Sequence, residues 1–197
     1  MVGPAGSDGI FSSKVISSII RFEQSLRNLD EWKDFCGRAA ANHRGLCDPG
    51  VSFANYMLPT LEIHGGGIVP SSLSVDGKGW EMIPLRTAMM LAERHRLDKL
   101  LLPTSINSTS RGELSASALR SAFRFQVPCC SSQDPVQEQR ARAKEFSQEW
   151  YHFSTDVLMP VLRRGPESDN IRVWYAGSDF QEFEVKEALS GDFSLAI

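Results

Sequence analysis

The sequence predicts a mainly α fold: a four-helix-bundle core with a small irregular, short-strand region and a long inner loop. Two long apolar stripes and one shorter helical pair predict it. Around 83–102, Met82, Leu85, Met89 and Ala92 recur at intervals of three and four residues; in 136–164, Phe146, Trp150, Phe153, Val157 and Val161 do the same. Such intervals gather each set on one face of an α-helix. The helical pair lies in 12–44. A chain of 197 residues is expected to form one domain and is long enough to bury a sizeable core.

Taken in order, residues 1–10 are loose, with Gly3, Pro4 and Gly6. A helix starts at Ser12 or Ser13 and carries Val15, Ile19, Phe22 and Leu26 inward. Asn28-Leu29-Asp30 interrupts it, and Asp30 caps a second helix bearing Trp32, Phe35, Cys36 and Ala39. Residues 45–79 are punctuated by Pro49, Pro59, Pro70 and Gly65 to Gly67, with β-leaning runs at Val51 to Phe53 and Leu61 to Ile63. Pro84 opens the helix that ends in Arg94, His95 and Arg96, where cations suit the dipole and the last carbonyls. Residues 103–135 form the inner loop, within which Leu114 to Phe125 is expected as a short helix with Leu119, Ala122 and Phe123 inward. Asp134-Pro135 starts the helix of 136–164, which Pro160 should bend near Asp156. In the final segment, 165–197, Asn170 to Tyr175 reads as β-like and Phe180 to Leu189 as a last helix.

Composition narrows the function classes. Hydrophobic content of 42% and charged content of 23% are those of a globular protein, and the net charge of −3 lacks the basic balance of a monomeric nucleic-acid binder. Cys36, Cys47, Cys129 and Cys130 form no C-x-x-C pair and have no histidine at metal spacing, so no metal is expected. Adjacent cysteines ill suit a secreted disulfide framework. With no signal peptide and no apolar run near ~18 residues, the chain reads as intracellular, reduced and without a membrane partner.

No catalytic residue is assigned, and no cofactor is expected. His64-Gly65-Gly66-Gly67 lacks the Gly-Lys-Ser/Thr ending of a phosphate loop and reads as a flexible turn. His43, His64, His95 and His152 are scattered, with no nucleophile at motif spacing. Trp150 and Phe153 sit on the apolar stripe and read as core; Tyr151, off it, stays open as a stacking residue. The candidate site is basic. If the helices of 84–97 and 136–164 pack antiparallel, Arg94, Arg96, Arg140 and Arg142 converge, with Lys144 as a register alternative and Arg111 in the loop as a further cation. Clustered guanidinium groups suit backbone phosphates.

PLRTAMMLAERHRL (84–97), QRARAKEFSQEWYHFSTDVLMPVLRRG (139–165) and the aromatic tail VWYAGSDFQEFEVKEAL (173–189) resemble the coat proteins of rod-shaped positive-strand RNA plant viruses, the tobacco mosaic virus-like group. The resemblance implies a capsid subunit without enzyme activity that polymerises helically and packages single-stranded genomic RNA. Arg94 and Arg96 would be the cations ending the first radial helix, and Arg140 and Arg142 those opening the second. It places the protein in the virion, and in host cytoplasm during assembly. Two other readings remain: a compact α+β enzyme or ligand-binding domain using the His64–Gly67 turn, and a monomeric helical interaction or immunity module.

Overall fold

The computed structural model describes residues 9–62, 72–102, 107–108, 114–125, 134–166, 171–177, 180–181 and 183–185. The protein is mainly helical, with strand confined among the described residues to two short antiparallel pairs. It divides into two compact units: Met1–Gln126 with Pro166–Arg172, and Val127–Gly165 with Val173–Ile197.

In the first unit α1 spans Ser13–Arg27, and Ser12 caps it by accepting from the Val15 amide at 3.3 Å. Its inner face carries Val15, Ile16, Ile20, Phe22 and Leu26, all buried, and also Glu23. Helix α2 (Asp30–Arg38) begins at the residue expected to cap it, with Leu29 at the cap and Asp30 and Glu31 in the first turn, where anions suit the dipole. Two stretches differ from expectation. Val51 to Phe53 is no strand: Ser52 accepts from the Ala54 amide and caps the short helix α3 (Phe53–Met57), all five residues of which are buried. Leu114 to Phe125 is no helix: β4 (Leu114–Ser115) pairs with β3 (Asn107–Ser108), and the chain then runs extended, with Ala122 bridging Val51. Leu119 is still buried, so the apolar spacing reported burial correctly and conformation wrongly.

Strands β1 (Thr60–Glu62) and β2 (Ser72–Ser74) form an antiparallel hairpin in which Leu61 faces Leu73. Helix α4 (Leu85–Arg94) starts just after Pro84, and α5 (Asp98–Leu101) follows a three-residue break. Ala88, Met89, Ala92 and Leu101 join Ile16, Ile20, Phe53 and Tyr56 in the unit's apolar cluster.

The second unit is built on one helical run: α6 (Val136–His152), a wider π-helical stretch over Phe153–Leu158, and α7 (Met159–Arg164). The Met159 amide bonds back five residues to Ser154 O. Pro160 has no amide to offer Asp156, and the ladder shifts register here. Hydroxyls of Ser154 and Thr155 bond the carbonyls of Trp150 and Tyr151 at 2.7 and 2.8 Å. Phe183 lies beside both Tyr151 (rings 6.5 Å apart) and the Arg163 guanidinium. No strand forms over 171–177.

Candidate functional site

A carboxylate on the apolar face of α1 organises the polar interior of the first unit. Glu23 is 4% exposed, and its Oε1 accepts from Ser52 Oγ at 2.7 Å and from Ser121 Oγ. Ser121 Oγ also lies 3.2 Å from Ser52 Oγ. Three separate pieces of chain therefore meet on one oxygen. The other, Oε2, is buried with no hydrogen-bond partner. Burial raises the carboxyl's pKa; the two serine bonds and the nearby Arg27 charge oppose the rise and do not overcome it. Arg27 is itself engaged, with Asp48 at 3.3 Å.

Beside this cluster, Cys36 and Cys47 form a disulfide, with Cα atoms 5.8 Å apart. Both cysteines are buried. Trp32 Nε1 donates to the Cys47 carbonyl at 3.2 Å, and its ring meets the edges of Phe123 and Phe125 at 5.0 and 4.7 Å. Gly50, at φ +76°, allows this closure: a Cβ there would sit 2.3 Å from the Phe123 ring. The disulfide corrects the expectation that these cysteines are reduced. The spacing of eleven residues hid it, since the turns of 39–47 bring the two thiols together.

The expected cations lie in different units. Arg94 ends α4, His95 is its C-cap, and Arg96 adopts φ +60°. Leu97 N bonds Ala92 O and Arg96 N bonds Glu93 O, a Schellman closure in which Arg96 occupies the position usually given to glycine. His95 Nδ1 lies 2.9 Å from Tyr56 OH. Burial raises the Tyr56 pKa. Arg140, Arg142 and Lys144 belong to α6 of the second unit, all exposed. Arg142 bonds Asp134 at 3.3 Å and also Glu138, so its charge serves the start of its own helix. The expected meeting of the two arginine pairs would be a contact between the units, so neither unit contains it. Arg111, His64 and Gly65 to Gly67 lie outside the described residues.

Sequence reasoning missed Glu23 and its serines. The signal was present, because Glu23 follows Ile16 by seven residues and Ile20 by three and so shares their face of α1. Its partners, 29 and 98 residues away, leave no local trace.

These features define a mainly helical chain held by a buried disulfide and a buried carboxyl cluster. Along 95% of its length it is similar to Protein dispatched homolog 3 of Homo sapiens, at 24% identity over 197 residues, and to that of Mus musculus at 25%. The protein of the same name from Gallus gallus is 22% identical over 199 residues. The chain spans only 13% of the length of the human and mouse relatives. No protein-family model and no solved structure matches it.

This likeness overturns the viral resemblance. A capsid subunit that packages RNA, sited in the virion or in host cytoplasm, gives way to a chain whose relatives along nearly its whole length carry the dispatched name. The physical reason is that basic helix ends and amphipathic stripes are general solutions. Dipoles, caps and cores demand them in unrelated helical proteins.

Proposed function

We propose that the chain is a disulfide-held, non-catalytic binding segment of a larger dispatched-like protein, working in an oxidising compartment. The buried Cys36–Cys47 bond carries the reading. The likeness to 13% of a much longer relative supports the status of a segment. A binding role suits how the interior uses its polar groups: Glu23, Ser52, Asn55 and Ser121 hold chain to chain. It also suits the surface. Leu61 and Leu73, opposed across the hairpin, are both exposed, and Trp80 near its base is fully so. The rest of the larger protein would cover these side chains.

The test is production of the chain by two routes. Directed through a eukaryotic secretory pathway, it folds with Cys36 and Cys47 joined; made in a reducing cytosol, it lacks the bond and is less stable. Equal stability from both routes, with both thiols free, overturns the reading.

A further inference from the structure

We infer that Glu23 is a proton-operated latch: its neutral carboxyl holds the strip Ser121–Phe125 against Ser52 and α1, and its ionisation releases that strip.

The latch is a joint of three segments on one oxygen. Ser52 Oγ and Ser121 Oγ both donate to Glu23 Oε1, and Ser52 Oγ accepts from the Ala54 amide to start α3. Around this joint the strip is held by few bonds. Val51 and Ala122 exchange amide bonds at 2.9 and 2.8 Å, and Arg124 N donates to Leu46 O at 2.8 Å. Ser121 itself is exposed, so one short surface segment separates the buried carboxyl from water.

The two protonation states are unequal. As a neutral acid, Glu23 keeps the carbonyl-type oxygen that both serines need, and leaves one hydroxyl unbonded. As a carboxylate it spreads its charge over both oxygens, and Oε2 holds its share buried with no donor. The charged groups nearby do not offset this. Arg27 on α1 is turned to Asp48, Arg120 and Arg124 are exposed on either side of Ser121, and Tyr56, the ionisable residue of α3, bonds His95. Burial accordingly holds the carboxyl's pKa above its ordinary 4.5. A group whose folded pKa is raised contributes its full stability below its unfolded value and loses it as pH rises through the folded one. Acid closes the latch. Rising pH above the ordinary 4.5 loosens it, freeing Phe123 and Phe125 from the Trp32 ring.

Amide hydrogen exchange by NMR on the intact oxidised chain, from pH 4 to 8 and corrected for intrinsic rates, reads the latch directly. Protection at Val51, Ala122 and Arg124 should fall about tenfold per pH unit above 4.5 until the folded carboxyl midpoint, then level off. Amides of Ile16 to Ile20 should keep theirs, and Glu23→Gln should show no such fall. An identical fall in Glu23→Gln, a flat wild-type profile, or equal loss across α1 overturns the proposal. Should Glu23→Gln fail to fold, the carbon-13 titration of the wild-type Glu23 carboxyl decides. A midpoint above 4.5 that coincides with the levelling of protection supports the latch, and any other midpoint refutes it.

Discussion

Trp32 and Cys47 are joined twice: the indole Nε1–H donates to the Cys47 carbonyl at 3.2 Å, and Cys47 is disulfide-bonded to Cys36, one helical turn beyond Trp32. The indole thus fixes the backbone at the far end of the bond. Phe123 and Phe125 pack on that ring from a strip some ninety residues later in the chain. Covalent, hydrogen-bonded and apolar restraints thus coincide at one end of the first unit, and removing each has a separable consequence.

Replacing both Cys36 and Cys47 by serine should lower stability by about 3 kcal/mol, the loop-closure value for a bond spanning eleven residues. Urea unfolding checks this. The reduced wild type should resemble the variant, and the variant itself should no longer respond to reductant.

Trp32→Phe keeps most of the ring packing and removes the bond to the Cys47 carbonyl, leaving a buried acceptor unpaired. A loss of about 1–3 kcal/mol is expected, measured by the same unfolding curves.

The stability difference between Glu23→Gln and wild type should depend on pH. Because burial raises the Glu23 pKa, the wild type loses about 1.4 kcal/mol per pH unit between 4.5 and its folded midpoint, while the variant does not. Thermal melts at pH 4 and pH 7 should therefore move in the variant's favour as pH rises.

Arg96→Gly should stabilise the first unit by about 1 kcal/mol, since a left-handed residue at a helix end penalises a side chain with a Cβ. Arg96→Val should do the opposite. A higher melting temperature for glycine and a lower one for valine are the expected outcomes.

Leu61→Ser combined with Trp80→Ser should leave stability within about 0.5 kcal/mol of wild type, because both side chains are already exposed. Self-association at high concentration, followed by sedimentation, should decline. A large loss of stability would show that these side chains support the fold rather than the surface.

Much of this fold was legible in the residues, and the misses share a cause. Ser12 and the stripe of Val15, Phe22 and Leu26 located α1, and the aromatic stripe located the run of 136–164, because caps and 3.6-residue periods are local. The helix at Phe53–Met57 was hidden by flanking prolines and β-leaning side chains, and only its full burial makes five residues worth coiling. Leu119, Ala122 and Phe123 carry helical spacing, yet the backbone there pairs with Val51 and Leu46, partners about seventy residues away. The disulfide and the Glu23 cluster were missed on the same ground, because both are set by turns that bring distant residues together. Arg94 and Arg96 close α4 and Arg142 pairs with Asp134 and Glu138, local contacts that a sequence pattern of clustered cations does not distinguish from a ligand site.

Peptide mapping of the intact chain, alkylated without reduction and read by mass spectrometry, tests the central claim most directly. The account predicts one fragment joining Cys36 to Cys47 that separates only on reduction. Both cysteines recovered as free alkylated thiols, or either one joined to Cys129 or Cys130, would contradict it.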